Sequence, residues 1–125
     1  MGKPITVLYV EDDEDIRAIA EMALEDDNFF LMSCSSGEEA LEKAALSDPD
    51  LLLLDVMMPG MDGPTTLNHL RQIPHITSTP VIFMTAKVQP TEVKAYLECG
   101  ALGVISKPFD PMGLADEIKT ILKKA

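Results

Sequence analysis

The sequence predicts a doubly wound α/β fold, in which helices cover both faces of a mainly parallel, five-stranded sheet. Five short apolar runs alternate with five segments whose apolar residues recur at helical spacing. Such alternation is typical of a parallel sheet with crossover helices. The length of 125 residues suits one domain and the spacing leaves no interdomain linker, so we expect a single domain over residues 1–125.

Three apolar runs predict the strands of the first half, at Ile5–Val10, Phe29–Cys34 and residues 51–54. The third run consists of four leucines, which favours a central strand that is covered on both faces. These runs are therefore interpreted as the first, second and third strands of the sheet.

A segment of helical spacing follows each of these strands. In the first segment, apolar residues recur at i, i+3, i+4, i+7 and i+8, which places on one face Ile16, Ile19, Ala20, Ala23 and Leu24. Ser36 and Glu39 form a capping box that begins the second helix, whose inward residues are Ala40, Leu41, Ala44 and Ala45. Pro64 suits the first turn of a third helix, whose inward residues are Leu67 and Leu70.

The second half repeats this scheme with strands at residues 81–84 and 102–105. Pro90 begins the fourth helix and Gly100 ends it, and the inward residues are Val93, Tyr96 and Leu97. The last helix places on its inner face Leu114, Ile118, Ile121 and Leu122.

The composition excludes several classes of function. A net charge of -11, from 10 basic and 21 acidic residues, argues against direct binding of nucleic acid, whose partners normally present a basic face. The apolar runs are far shorter than the roughly 20 residues that cross a bilayer. We therefore expect a soluble, cytoplasmic protein with no membrane anchor.

The cysteines and histidines predict no metal site of their own. Cys34 and Cys99 are expected to be buried free thiols in a reducing cytoplasm, although one disulfide between them stays open. Their spacing from His69 and His75 does not match a zinc site. Both histidines are interpreted as ordinary surface or loop residues.

Polar residues follow four of the predicted strands at their carboxyl ends. Doubly wound sheets bind ligands at this edge, at the point where the strand order reverses. Carboxylates this close repel one another unless a cation joins them, and Mg²⁺ prefers oxygen ligands. The residues, from the first, third, fourth and fifth strands, are Glu11, Asp12 and Asp13, then Asp55, Thr85 and Lys107.

Taken singly, each of these residues has an ordinary explanation. Acidic residues favour the N-termini of helices, a lone Asp often forms a turn, and a lone Thr often caps a helix. Lys107, before Pro108, would normally be a surface charge. Separate ordinary roles would not bring all of them to one edge of a sheet, so the group favours a functional site.

Four short motifs carry these residues, in an order and spacing that resemble the signature motifs of bacterial response-regulator receiver domains. The motifs are Val10-Glu11-Asp12-Asp13, residues 54–63, Met84-Thr85-Ala86 and Lys107-Pro108-Phe109. The resemblance covers essentially the whole chain. It implies the strand order 2-1-3-4-5 with five helices, the flavodoxin- or CheY-like arrangement.

The resemblance also implies a role for the acidic residues. Asp55 would be the phosphoacceptor, which receives a phosphoryl group from a phosphohistidine of a histidine kinase or a histidine phosphotransfer domain. Asp12 and Asp55 would bind Mg²⁺ directly, Glu11 through a water, and Met57 through its backbone carbonyl. Asp13 is placed outside this ligand set.

Thr85 and Lys107 would contact the phosphoryl oxygens. The chain would then catalyse only its own phosphorylation and dephosphorylation, so it is not expected to be an enzyme in the ordinary sense. The face built from the fourth helix, fifth strand and fifth helix would control a downstream effector protein. We expect a monomer or a weak, phosphorylation-dependent dimer.

Three other classes of protein are weighed against this one. A phosphatase of the haloacid dehalogenase type needs a second Asp two residues after its nucleophile, where this chain has Met57. A flavin-binding protein needs a first loop that cradles phosphate, but residues 11–15 are acidic. A degenerate receiver that serves only as an interaction module would be favoured by loss of Asp55 or Lys107, and both are present.

Two further expectations follow from positions that vary in the family. Met57 and Lys87 flank the path of the hydrolytic water, and neither orients it well, so we expect slow self-dephosphorylation. Receivers commonly carry an aromatic residue or His three positions before the lysine, where this chain has Val104. Val104 has no ring to reorient, so we expect the loop 86–89 to transmit the switch instead.

Overall fold

The structure, a computed structural model, describes residues 3–25 and 28–125. The predicted domain span of 1–125 also includes Met1, Gly2, Asp26 and Asp27, which lie outside the described residues. The strands are β1 (Ile5–Val10), β2 (Phe29–Cys34), β3 (Leu51–Asp55), β4 (Val81–Thr85) and β5 (Gly103–Ser106). The α-helices are α1 (Glu14–Ala23), α2 (Gly37–Ala45), α3 (Gly63–Leu70), α4 (Pro90–Glu98) and α5 (Leu114–Leu122).

All five strands are parallel and form one sheet in the order β2-β1-β3-β4-β5, which confirms the expected fold. The chain adds β2 on one side of β1 and β3 on the other, so the strand order reverses between β1 and β3. Val10 pairs with both Cys34 and Leu54. The residues that follow β1 and end β3 are thereby adjacent at this switch point.

Two apolar layers sandwich the sheet. The leucines of β3 are fully buried and alternate between the layers, as expected for a central strand: Leu52 and Leu54 pack with α2 and α3, and Leu51 and Leu53 with α1 and α5. The interior of the protein is therefore built around β3, and the carboxyl end of β3 opens into the candidate site.

The predicted helix faces are wrong at three positions. Ile19 in α1 and Leu97 in α4 are 45% and 46% exposed, and Ala45 in α2 is also exposed. Each lies at the border of its apolar stripe, where the helix surface curves away from the sheet. Periodicity predicts the direction of the buried face but not its width.

Short polar residues cap the first three helices. The Asp13 carboxylate caps α1, Ser36 caps α2 and Asp62 caps α3. In the predicted capping box at α2, the Ser36 side chain accepts from the Glu39 amide as expected. The other bond is wrong, because the Glu39 carboxylate accepts from the Ser35 amide at 2.7 Å rather than from the Ser36 amide. Gly100 ends α4 with a φ of 107°, as its position predicted.

The expectation that both thiols are buried is wrong for Cys99, and the expectation that His75 is a surface residue is confirmed. Cys34 is buried, and burial raises the pKa of its thiol to about 11, but Cys99 is exposed at the end of α4. His75 belongs to a 3₁₀ turn, Pro74–Ile76, which the sequence did not predict. Its Nε2 lies 2.9 Å from the Ala44 carbonyl oxygen and 2.8 Å from that of Ser47, so it ties this turn to the end of α2.

Strand bounds agree with the sequence prediction to within one residue. β4 includes Thr85, and β5 begins at Gly103 rather than at Leu102. Among residues 3–25 and 28–125, no helix has the length and apolar content to cross a membrane.

Candidate metal and phosphoacceptor site

Three carboxylates meet where β1 and β3 end. Glu11 follows β1 and is fully buried, Asp55 ends β3 and is 2% exposed, and Asp12 is exposed beside them. One carboxylate oxygen from each lies within 4.8 Å of those from the other two. The sheet register produces this cluster, because the two strands are neighbours with Val10 opposite Leu54.

Lys107, which follows the edge strand β5, neutralises part of this charge. Its Nζ donates to Glu11 Oε1 at 2.8 Å and to Asp55 Oδ1 at 2.9 Å. The backbone amide of Lys107 also donates to the Thr85 carbonyl at 2.9 Å, which continues the pairing of β5 with β4. The lysine is therefore fixed by its backbone and by both buried carboxylates.

The buried carboxyl of Glu11 is unusually easy to protonate. Burial raises its pKa to about 7, the charge of Asp55 adds to the increase, and the hydrogen bond from Lys107 opposes it. Burial alone would lower the pKa of Lys107, but the hydrogen bonds and charges of Glu11 and Asp55 outweigh it and raise the pKa. The lysine stays charged, and Glu11 is the group that titrates near neutral pH.

This donor set fits a small, hard cation. Three carboxylates face one ammonium, so negative charge is left over, and burial makes that excess costly. Mg²⁺ takes oxygen ligands and commonly uses one or two carboxylates together with waters and phosphate oxygens. A carboxyl whose pKa has risen toward 7 is also one that a bound cation would return to its ionised form.

Thr85 ends β4 in the same pocket region and is 1% exposed. Its Oγ1 accepts a hydrogen bond from the Lys87 amide at 3.0 Å, so the hydroxyl proton is free to be donated elsewhere. Lys87 itself is exposed in the loop that follows. The loop and the hydroxyl are thus directly connected.

The remaining predicted residues lie around this centre. Met57 follows β3 by two residues, and its side chain is 61% exposed. Val104 is partly buried in β5, where it lines a groove between α4 and α5 together with Val93 and Ile121. No ring occupies the Val104 position, as the sequence indicated.

Three contacts at the site had no clear signal in the sequence. Arg17 Nη1 donates to the Glu11 carbonyl oxygen at 2.8 Å, and the Asp13 amide donates to Glu11 Oε2 at 3.2 Å. Gly63 packs so closely that a Cβ there would lie 2.6 Å from the Asp55 carbonyl oxygen. An Asp before a helical stripe suggests a cap, but the side-chain cap at Asp13 does not predict the bond from its amide to Glu11.

The fold agrees with comparisons to known proteins. Residues 7–119 match the family model of the response regulator receiver domain. The transcriptional regulatory protein CseB of Streptomyces avermitilis is 37% identical over 124 residues, which cover 99% of this chain and 52% of that protein. The alkaline phosphatase synthesis transcriptional regulatory protein PhoP of Bacillus subtilis is 36% identical over 119 residues, which cover 95% and 49%.

Solved structures show the same similarity. The chemotaxis protein CheY4 of Vibrio cholerae has a TM-score of 0.87 at 29% identity, covering 94% of this chain and 98% of that one. A putative response regulator from Chloroflexus aurantiacus has a TM-score of 0.85 at 36% identity, covering 97% and 99%. The chain spans about half the length of the curated relatives but almost all of these structures.

Three findings agree on the family. The family model spans nearly the whole chain, the sheet has the expected strand order, and the relatives are bacterial regulators. This agreement excludes the flavin-binding and dehalogenase-type alternatives. The chain belongs to the response regulator receiver domain family and is a receiver domain of a two-component response regulator.

Proposed function

We propose that this domain, over residues 1–125, accepts a phosphoryl group on Asp55 from a phosphohistidine, with the help of Mg²⁺. The donor is a histidine kinase or a histidine phosphotransfer domain. The observation that carries the proposal is the nearly buried Asp55 carboxylate, bonded through one oxygen to Lys107 and grouped with Glu11 and Asp12 within 4.8 Å.

The transfer needs no separate base, because an ionised carboxylate is already a nucleophile. Lys107 holds Asp55 Oδ1, so we assign the attack on phosphorus to Oδ2. A bond forms between Oδ2 and phosphorus, the bond from phosphorus to the donor imidazole nitrogen breaks, and that nitrogen keeps the electron pair. The products are an acyl phosphate on Asp55 and a free histidine on the donor.

Lys107 and Thr85 are assigned to the phosphoryl oxygens. Negative charge on these oxygens must be stabilised during the transfer, and a preorganised ammonium does so effectively. The Thr85 oxygen is engaged by the Lys87 amide, which orients the hydroxyl and leaves its proton available for a phosphoryl oxygen.

Asp12 and Asp55 are assigned as direct Mg²⁺ ligands, with Glu11 acting through a water and Met57 through its backbone carbonyl. When bound, the cation supplies positive charge against the transferred phosphoryl group. Burial of Glu11 suits an indirect role, because its carboxylate is already engaged by Lys107 and by the Asp13 amide. Asp12 is the exposed member of the cluster and the one that an arriving ion meets first.

An apolar hollow beside the site is suited to the phosphohistidine donor. It has a volume of about 410 Å³, and Lys107 and Ala86 belong to its wall, so its occupant would lie next to Asp55. Ile19, which is 45% exposed, contributes to the same wall from α1. We assign this hollow to a helix of the donor that carries the histidine.

The output is assigned to the face of α4, β5 and α5, which would bind a downstream effector protein. An apolar groove on this face, of about 690 Å³, is lined by residues that include Val93, Leu97 and Val104. Relatives named as transcriptional regulatory proteins support an output in gene control. With a net charge of -11, this domain would act there through protein contacts, as a monomer or a weak phosphorylation-dependent dimer.

The acceptor assignment is tested by intact mass after incubation with acetyl phosphate and Mg²⁺. We expect the wild-type chain to gain one phosphoryl group and Asp55→Asn to gain none. Asp48→Asn is the matched control, because Asp48 is an exposed acid at the opposite edge of the sheet, just before β3. It should be labelled like the wild type.

Full labelling of Asp55→Asn would show that another acid is the acceptor. No labelling of the wild type would favour a degenerate receiver that acts only as an interaction module. The same samples, followed over time, measure the lifetime of the acyl phosphate. With Met57 and Lys87 beside the path of the attacking water, we expect it to last many minutes or longer rather than seconds.

A further inference from the structure

Arg17 reaches back from α1 to the start of the site. Its Nη1 donates a hydrogen bond of 2.8 Å to the carbonyl oxygen of Glu11, six residues earlier, and the contact is partly buried. Helix side chains tilt toward the N-terminus, so a long side chain at the end of the first turn can reach the segment that precedes the helix. The guanidinium therefore spans the turn that joins β1 to α1.

This bond is one of four that fix Glu11, and one of the other three is the bond from Lys107 to Glu11 Oε1. The Glu11 amide donates to the Cys34 carbonyl at 3.0 Å, and Glu11 Oε2 accepts from the Asp13 amide at 3.2 Å. The Arg17 bond holds the other backbone group of Glu11, its carbonyl, which belongs to the peptide bond that joins Glu11 to Asp12. Asp12 thus lies between Glu11, held at both ends, and Asp13, fixed as the cap of α1.

Charge and geometry make opposite predictions for this arginine. By charge alone, a guanidinium that contacts the Glu11 backbone repels a divalent cation nearby, so its removal should strengthen cation binding. By geometry, its loss frees the Glu11 carbonyl and lets the Asp12 carboxylate rotate away from the cluster. Mg²⁺ demands near-ideal octahedral geometry, so it is sensitive to such a change.

We propose that Arg17 is a positioning residue for the cation site, which it serves by holding the Glu11 carbonyl and so aiming the Asp12 carboxylate. The inference rests on the proposed Mg²⁺ site and extends it to a residue that touches neither the cation nor the phosphoryl group. Outer groups that orient metal ligands commonly change affinity by about tenfold or more when removed.

The test is a calorimetric Mg²⁺ titration of the wild type and three variants. Arg17→Met keeps most of the apolar stem and removes the donor, and we expect it to weaken binding by about tenfold. Arg17→Lys keeps the charge and one donor group and should recover part of the loss. Lys94→Met is the matched control, because it removes one exposed positive charge on α4 and should leave binding equal or slightly tighter.

A second measurement is made without metal. Amide chemical shifts in the presence of a chelator should differ between the wild type and Arg17→Met at residues 11–13, and remain similar elsewhere in the sheet. If Arg17→Met does not fold, as judged by circular dichroism, both measurements are made on Arg17→Lys, for which we expect a smaller loss of Mg²⁺ affinity.

Equal or tighter Mg²⁺ binding by a folded Arg17→Met would overturn the inference and leave the proposed function intact. Absence of Mg²⁺ binding by the wild type would overturn the proposed cation site and this inference with it. We expect weaker binding that Arg17→Lys partly restores. Apart from the helix that carries the substitution, we expect shift changes at residues 11–13 and similar shifts elsewhere in the sheet.

Discussion

Lys107 satisfies two buried carboxylates at once, at 2.8 Å from Glu11 and 2.9 Å from Asp55. This pairing gives each buried carboxylate a hydrogen-bond partner without a cation. A cation that binds Asp12 and Asp55 would compete with Lys107 for Asp55. The lysine would then be released toward the phosphoryl oxygens, which is where the proposed function needs it.

The titration of Glu11 predicts how the metal-free domain responds to pH. Its pKa is raised from 4.5 to about 7, so the folded protein resists its ionisation. The stability that this group contributes is complete below about pH 4.5 and is lost as the pH rises through about 7. Glu11→Gln cannot ionise and should remove this loss.

The measurement is thermal unfolding in a chelator at about pH 5 and about pH 8. We expect the melting temperature of the wild type to fall by a few degrees more than that of Glu11→Gln over this interval. Both chains share every other acid, so the comparison isolates Glu11. Equal changes in the two proteins would mean that Glu11 is ionised throughout.

Asp12 and Asp13 are neighbours with different predicted roles. Asp12→Ala should weaken Mg²⁺ binding strongly, because it removes a direct ligand from the proposed set. Asp13 Oδ1 instead accepts from the amides of Asp15 and Ile16 at 2.9 and 3.0 Å. Asp13→Ala should therefore lower the free energy of unfolding by about 1 kcal/mol, with little change in Mg²⁺ affinity.

Metal titration and denaturant unfolding of both variants separate these two roles. Equal losses of Mg²⁺ affinity would place the ligand set one residue away from our assignment.

At this scale the sequence predicted which residues meet but not how they bond. The rule that ligands bind at strand ends predicted that Glu11, Asp55 and Lys107 lie together. The Arg17 contact was not predictable, because a bond between a side chain and a carbonyl six residues earlier leaves no mark on hydrophobic periodicity. It depends on the path of the turn that joins β1 to α1.

At the scale of elements, strands were easier to predict than helix faces. Each strand is a short apolar run, so its limits are visible in the sequence to within one residue. The face of a helix depends on how far its neighbours extend, which is why Ile19 and Leu97 are exposed. The 3₁₀ turn at Pro74–Ile76 is held by His75 and by Arg71, whose Nη1 donates to the carbonyls of Ile76 and Thr79, and such contacts have no periodic signal.

The close approach of α3 to the end of β3 yields a prediction about Gly63. A Cβ there would lie 2.6 Å from the Asp55 carbonyl oxygen and 2.9 Å from Val56 Cα, and both are backbone atoms that cannot easily move. Gly63→Ala should therefore shift the backbone that carries Asp55. We expect a lower melting temperature by several degrees and slower phosphorylation by acetyl phosphate.

Gly60→Ala is the control for this variant. Gly60 has a φ of 75° and open space around it, so alanine there carries only the backbone strain of roughly 1–2 kcal/mol. It should lower stability with a smaller effect on the phosphorylation rate. Wild-type phosphorylation by Gly63→Ala would show that the contact does not position Asp55.

At the scale of the whole molecule, the two apolar hollows assigned to partners share no residue. The hollow beside the site is built from α1 and the segment after β5, and the groove on the output face from α4, β5 and α5. A donor and an effector would therefore use separate surfaces. The loop after Thr85 borders both surfaces, because Ala86 lines the hollow and Val88 lines the groove.

The path of that communication is the last prediction. Thr85 Oγ1 is bonded to the Lys87 amide, so a hydroxyl that turns toward the phosphoryl group pulls on the loop 86–89. The loop leads into α4, which has no buried residue, so less packing opposes a displacement of this helix than of the other four. Val104 has no ring to transmit the change. With beryllofluoride and Mg²⁺ we expect large amide shift changes at residues 85–92 and small ones at Val104. The control, Asp55→Asn, should show none. Changes centred on residues 104–105, with no change in the loop 86–89, would refute this path.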